Sequence, residues 1–491
     1  MTRTIVQQLA AFTAGTTYEN LPAAVVHECK RVILDSIGCA VAAIDELKGR
    51  AGIEYGRIVG AGDLKATIIG TGEKVSVHGA AFANGELIST LDMDAVLPPG
   101  HVSPYVMPAA IAMAESLCSS GRGVITAMAL AHEMSNRFGK AMDSLRPGND
   151  GRLAPPPIFC YASTIFGATA AIGKLRDHAV ETIGHSLGIA GCISSVNSQI
   201  AWFEHAPSST IKHLMAGVLS QQALTAAYMG ELGHRGDLQI LDDREYGYPR
   251  FIGTTKWDRE RITSGLGSEW QFPGETSYKP YPHCRIVHAM FDCIVRIVQE
   301  QRLKPEEIDA MKVYIGSLAD RPVWLNRKIE HVHDAQFSMA HGLATAAHCF
   351  PLGKEWQDPR NVYSPSVLAL MDRVSIELLP DQTKMPIKTE VRRDRVEISA
   401  RGQTFVEETR HAKGSPSPDP KSMMTDEEIA QKFRHNCEGT LPPGHVDAVI
   451  DSVMNLDRVT NFASVMTLTG QSADAAARGR NRKDPAVRAA P

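Results

Sequence analysis

GHSLG, Gly184 to Gly188, fits G-x-S-x-G, the turn on which an α/β-hydrolase presents its serine nucleophile. Such a turn needs a β-strand ending at its first glycine and a helix beginning after the serine. The preceding residues, KLRDHAVETI, supply no strand: Leu175, Ala179, Ile183, Leu187 and Gly191 fall on one line at a spacing of four, which is helical periodicity. A serine inside a helix tends to bond the carbonyl one turn back and lacks the exposure of a nucleophile. No H-G-G-G oxyanion motif stands upstream. The stretch reads as helix, and the hydrolase reading is set aside.

Outward from there the same character holds. From Leu21 to about Glu231 the chain is rich in alanine and glycine, and Val26, Cys29, Ile33 and Ile37 recur at helical spacing as one buried stripe. Small residues let helices approach closely, so residues 1–268 are expected to form the first part of a large all-helical domain. After about Trp270 the pattern changes. A helix through Ile286, Met290, Ile294 and Ile297 is followed by PEEIDAMKVYIGS, a capped turn running into a strand, and VRRDRVEISARGQTFVEETR alternates around Gly402 as a β-hairpin. Residues 269–412 are therefore expected to form a smaller α+β domain. Helical signals return at TDEEIAQKF, with a capping box of Thr425 and Glu428, and at HVDAVIDSVMNL. Residues 413–470 then extend the helical domain and make the mixed one an insertion, a mainly α fold with an α+β lid. The tail, 471–491, is expected to be disordered.

A chain of 491 residues is too long for one ordinary core. Its 51 basic and 55 acidic residues give a net charge of −4 and no electrostatic reason to expect nucleic acid. The longest nearly apolar run, Val106 to Ala114, falls short of the roughly 20 residues of a membrane helix. The N-terminus lacks a signal-peptide pattern, so no membrane attachment and a cytoplasmic location are expected. Nine cysteines form no C-x-x-C pair, and their odd number leaves at least one unpaired; reduced, buried thiols are expected. His132-Glu133 lacks the second histidine of H-E-x-x-H, His331 and His333 have no ligand set beyond Asp334, and no G-x-G-x-x-G follows a strand. Neither metal nor nucleotide cofactor is expected.

Polar chemistry gathers instead at helix starts. In ANGELISTLDMDAVLPPGHVSPYVMPAAIAMAE, Asp92 and Asp94 end one helical segment, a Pro/Gly-rich loop carries His101, and Ser103-Pro104 reads as an N-cap followed by proline, with Pro108 as the alternative start. The helix N-terminus attracts anions and disfavours a protonated imidazole, which suits a general base. In SSTIKHLMAG, Ser208, Ser209 or Thr210 caps a helix and puts Lys212 in its first turn, where a cation is unfavourable unless it binds an anion. In KPYPHCRIVH, Lys279 precedes a proline-stiffened turn and His283, Cys284 and Arg285 open a helix. In PPPIFCYASTIFG, Tyr161 stands two residues before a cap at Ser163. Each group also has an ordinary reading, as a surface turn, a solvated lysine, a linker or a packed tyrosine.

VILDSIGCAVAA, ANGELISTLDMD to GHVSPYVMPAAIAMAE, ASTIFGATAAIGKL, HSLGIAG, TIKHLMAG, KPYPHCRIVH and AQFSMAHGLA, in this order, resemble the MmgE/PrpD family, which includes 2-methylcitrate dehydratase, cis-aconitate decarboxylase and iminodisuccinate epimerase. The resemblance covers roughly residues 20–465. It implies a homodimer with a cofactor-free site between helical domain and lid, and it carries Asp92, His101, Lys212 and Lys279 over as catalytic positions. The chain departs from the family pattern at Met93-Asp94-Ala95, at His101-Val102-Ser103, at Tyr161 and at Met215, and a Cys/His pair stands as His283-Cys284.

The leading expectation is a lyase, a dehydratase or decarboxylase of a small di- or tricarboxylate. His101 would move a proton beside a carboxylate, Asp92 would orient its ring, and Lys212 and Lys279 would hold substrate carboxylates. Tyr161 is a further candidate acid, and His283, Arg285 and Ser103 are candidates for binding substrate. An epimerase of a substituted dicarboxylate, with Tyr161 or His283 as second acid, and a carboxylate-binding protein without chemistry remain as alternatives.

Overall fold

The structure is a computed structural model that describes residues 3–143, 146–147, 153–156, 158, 160–195, 198–378, 394–417 and 419–471. The first part of the chain runs through helices α1 (Ile5–Gly15), α2 (Ala23–Ala42), α3 (Leu47–Val59), α4 (Val77–Thr90), α5 (Ser103–Ser116), α6 (Gly121–Ala141), α7 (Thr164–Leu175), α8 (Val180–Ile193) and α9 (Ile211–Glu231). The fold is mainly α, with small sheets only. From Arg31 to Ala42, α2 is buried on every side. A single stripe understates it: α2 is a central helix wrapped by α4, α5, α6 and the C-terminal helices.

GHSLG lies within α8, and Ser186 Oγ donates to the Thr182 carbonyl at 2.8 Å. The line of residues from Leu175 spans two helices, because α7 ends at Leu175 and α8 begins at Val180, with Asp177 at φ 53° between them. Close packing is served by small residues here: a Cβ on Gly230 of α9 would stand 2.2 Å from Ser186 Oγ. Ser186→Ala is accordingly expected to leave turnover unchanged and to alter stability by no more than about 1.5 kcal/mol. Steady-state kinetics with urea unfolding checks both; loss of turnover in a folded variant would revive the nucleophile.

Residues from 281 to 400, joined by Trp202, form a second buried cluster around a four-stranded sheet. Its order is Gln403–Thr409, Asp394–Ala400, Ile308–Ile315, Val374–Leu378; the last pair is parallel and the others antiparallel. Asp394–Ala400 alternates buried and half-buried positions, which is the pleat of a one-faced sheet. The hairpin turns on Arg401 and Gly402, both left-handed at φ 53° and 71°, as a two-residue turn with both φ positive requires. The helix His288–Glu300 covers the sheet with Met290, Ile294 and Ile297.

The chain then returns. The helix Asp426–Cys437 packs on α2, and its capping box is formed: Glu428 N–H donates to Thr425 Oγ1 at 3.2 Å and Thr425 N–H to Glu428 Oε2 at 2.7 Å. With the helix Pro443–Met454 it joins the first buried cluster. The tail from 472 lies outside the described residues. All nine cysteines are free thiols, but Cys118, Cys192 and Cys349 are exposed, which corrects the expectation of uniformly buried ones. Among the described residues no helix is long and apolar enough to cross a membrane.

Candidate active site

The site is built on the turn that follows α4. Asp92 takes a left-handed conformation, φ 51°, with its N–H on the Ser89 carbonyl at 3.0 Å; aspartate tolerates this better than most side chains. The turn sends both the Asp92 and the Asp94 carboxylates into the interior, where each is buried. Next, Val96–Leu97 pairs with Gly100–His101, folding His101 back over the aspartates. Val96 also exchanges backbone hydrogen bonds with Ser277, at 2.8 and 2.7 Å, and this bridge delivers Lys279, 187 positions beyond Asp92. Lys212 enters from the first turn of α9, whose N-cap Thr210 makes no side-chain capping bond.

The groups meet at short range. Lys212 Nζ donates to Asp92 Oδ1, Lys279 Nζ stands 3.3 Å from the same oxygen and donates to the Asp92 carbonyl at 2.7 Å. His101 Nδ1 lies 2.7 Å from Asp94 Oδ2, and Nε2 lies 3.3 Å from Asp92 Oδ1. Asp94, which carries the tighter contact, therefore orients the imidazole. That corrects the expected assignment of this task to Asp92, which instead anchors the two lysines. Burial lowers the pKa of His101, opposed by Asp94 and reinforced by Lys279 and Lys212, so the ring is neutral at pH 7. With Nδ1–H donated to Asp94, Nε2 carries the free electron pair. For Asp92, burial alone would raise the pKa, but Lys212, Lys279 and His101 together hold it well below the usual carboxylate range.

Tyr161 stands beside this cluster, its ring edge-on to His101 with centroids 5.8 Å apart. Gly100, at φ 149°, permits the approach: a Cβ there would lie 2.2 Å from Tyr161 Cε1. Burial raises the phenol well above its ordinary pKa, so it keeps its proton. In the pair His283-Cys284 the ring is turned away, with Nε2 on the Ser338 carbonyl at 3.3 Å and Nδ1 accepting from Cys284 N–H at 2.9 Å. The half-buried Cys284 thiol feels Asp92, Lys212 and Lys279.

Two of the expected substrate-binding groups are engaged elsewhere. The α5 helix begins at Ser103 with Val102 as its cap, Pro108 lies inside it, and Ser103 Oγ donates to His132 Nε2 at 3.1 Å. Arg285 donates to the Lys413 carbonyl at 2.8 Å and to Ser415 Oγ at 2.7 Å, tethering the returning chain. Each residue satisfies the fold's own buried polar groups, a demand that polarity at a helix start does not distinguish from ligand binding.

Sequence reasoning also missed what supports the turn. Lys432, on the returning helix, donates to Asp35 Oδ1 at 2.6 Å and to the Met93 carbonyl at 2.8 Å, and Asp35 Oδ2 accepts from Ala95 N–H at 3.2 Å. Lys432→Met is expected to destabilise the protein by about 3 kcal/mol, since Asp35 is left buried and unpaired. Adding Asp35→Leu should recover part of that, measured as the urea midpoint.

Asp92, Asp94 and His101 each present one ligand atom within 4.8 Å of the others, a possible metal-binding set. Two ammonium groups already lie on Asp92 Oδ1, and a divalent cation would have to displace them against their own charge. The donor set therefore fits a metal poorly and suits anionic ligands better.

Residues 7–260 match the MmgE/PrpD N-terminal domain, and residues 281–458 match the MmgE/PrpD C-terminal domain. The chain belongs to the MmgE/PrpD family. Among relatives of this family, cis-aconitate decarboxylase of Homo sapiens is 24% identical over 485 residues, 95% of each chain. That of Aspergillus terreus is 23% identical over 495 residues, 94% of this chain and 95% of the relative. That of Mus musculus is 24% identical over 485 residues, 95% of this chain and 93% of the relative.

Proposed function

We propose that this MmgE/PrpD chain is a lyase that acts on a small di- or tricarboxylate, exchanging one proton at a carbon beside a carboxylate. The observation that supports it most is the Asp94–His101 pair, with Lys212 and Lys279 gathered on Asp92 beside it. The names of the relatives favour loss of CO2 over loss of water.

A substrate carboxylate would take Lys212 from Asp92, while Lys279 stays anchored on the Asp92 carbonyl. In decarboxylation the bond to the leaving carboxylate breaks and CO2 departs. The electron pair spreads into the neighbouring unsaturated carboxylate, where the two ammonium groups stabilise it. The carbon then takes a proton from His101, which the negative charge of the bound substrate favours in its protonated form. In dehydration the neutral ring would remove the proton instead; the C–O bond then breaks, and the hydroxyl leaves as water with the proton the ring returns to it.

NMR in D2O with cis-aconitate, methylcitrate and substituted succinates tests this reading. Conversion to a decarboxylated or dehydrated product, with deuterium in the decarboxylated one, is the expected result. Exchange or inversion at one carbon with the skeleton intact would replace the lyase by an epimerase.

A further inference from the structure

Lys48 stands in no motif. It occupies the second position of α3, half-buried, and its Nζ donates to Gln336 Oε1 at 2.7 Å and to His333 Nδ1 at 3.1 Å. Both acceptors are neutral. His333 donates through Nε2 to the Ser209 carbonyl at 3.1 Å, and burial together with Lys48 pulls its pKa down to about 3. Gln336 Nε2 is fixed on the Thr90 carbonyl at 3.0 Å, two residues before Asp92. Phe337 forms a shared wall, with the His333 ring 5.2 Å from it and Lys212 Nζ 4.9 Å above it.

No carboxylate of the described residues lies within ion-pair distance of this ammonium. Burial pushes the pKa of Glu86 up to about 8 and that of Glu46, against the pull of Lys48, up to about 7, so neither carboxyl is fully ionised at neutral pH. In the neighbouring cluster the two carboxylates of Asp92 and Asp94 offset the two ammonium groups of Lys212 and Lys279. Those four groups carry no net charge among them, and Lys48 is a further amine beside them, held by two neutral acceptors. We propose that Lys48 binds a further carboxylate of the substrate and selects molecules with three carboxylates over those with two. The proposal rests on the polycarboxylate lyase reading above. Burial, opposed by Glu46 and joined by Lys212, pulls the Lys48 ammonium down to about 7, and a substrate carboxylate bound there favours its charged form.

Calorimetric titration of the full chain with tricarballylate and with glutarate, which lacks only the central carboxylate, tests it. Lys48→Met is expected to weaken tricarballylate about tenfold, the worth of one charge-assisted hydrogen bond, and glutarate less than about twofold. Lys48→Arg should keep most of the preference. If the wild-type protein binds both and Lys48→Met changes both alike or neither, the assignment of Lys48 falls alone. Equal loss of preference in Lys48→Arg and Lys48→Met makes Lys48 a structural residue and also overturns it. A wild-type protein that binds neither probe removes the polycarboxylate reading and the proposal with it.

Discussion

Alanine at position 101 is expected to lower kcat by about 100-fold or more, the usual worth of a positioned proton-transfer group. The folded structure should survive, because His101 lies at the rim of the hairpin with 8% of its surface exposed and donates to a carboxylate that can take up water in its place. Asp94→Asn separates orientation from chemistry. An amide at position 94 can donate to Nδ1, which moves the ring proton to Nε2 and blocks the base. A kcat loss of about tenfold or more with KM nearly unchanged is expected, together with a change in the ring nitrogen shifts of His101 by NMR. Near-normal turnover in His101→Ala would remove the residue from the mechanism. Near-normal turnover in Asp94→Asn would hand the orienting role back to Asp92.

The largest stability effect is expected at Asp92. Asp92→Leu leaves Lys212 and Lys279 buried without their shared carboxylate, at a cost of about 5 kcal/mol. Removing one of those charges as well, in Asp92→Leu with Lys212→Met, should recover part of the loss, and urea unfolding reads both. The same contact sets a pH dependence. Because the folded pKa of Asp92 is depressed, its contribution is fully present above the ordinary carboxylate value of about 4, and it is lost as pH falls from there toward the folded value. The stability difference between wild type and Asp92→Leu should therefore shrink below pH 4. A difference that stays constant through that range would show that Asp92 is not the ion pair's anchor.

The mainly α character was legible because apolar periodicity is written locally, and so were the hairpin at Arg401-Gly402 and the capping box of Thr425 and Glu428. His101, Lys212 and Lys279 could be nominated because each stands in a short motif near a helix start or a proline turn. The division of labour between Asp92 and Asp94 could not be read, since it depends on the left-handed turn at Asp92, and spacing alone leaves either carboxylate facing the ring. Lys48 and Lys432 were invisible for another reason. Each meets partners far away in sequence, Lys48 at His333, 285 positions on, and Lys432 at Asp35, 397 positions back, and an isolated lysine on an amphipathic helix looks the same whether it ends in water or among such partners. Ser103 and Arg285 show the converse, polar residues at helix starts whose partners are the protein's own histidine and carbonyls.

The strut from Lys432 to Asp35 joins residues 397 positions apart. During synthesis at about 5–20 residues per second, the Asp35 carboxylate exists for on the order of 20–80 s before its partner is made. Until then the floor beneath Met93 and Ala95 has no prop, and a nascent chain already holding Asp92, His101, Lys212 and Lys279 lacks the brace under the turn on which they meet. The candidate site is thus braced only once the returning helix, Asp426–Cys437, has been made.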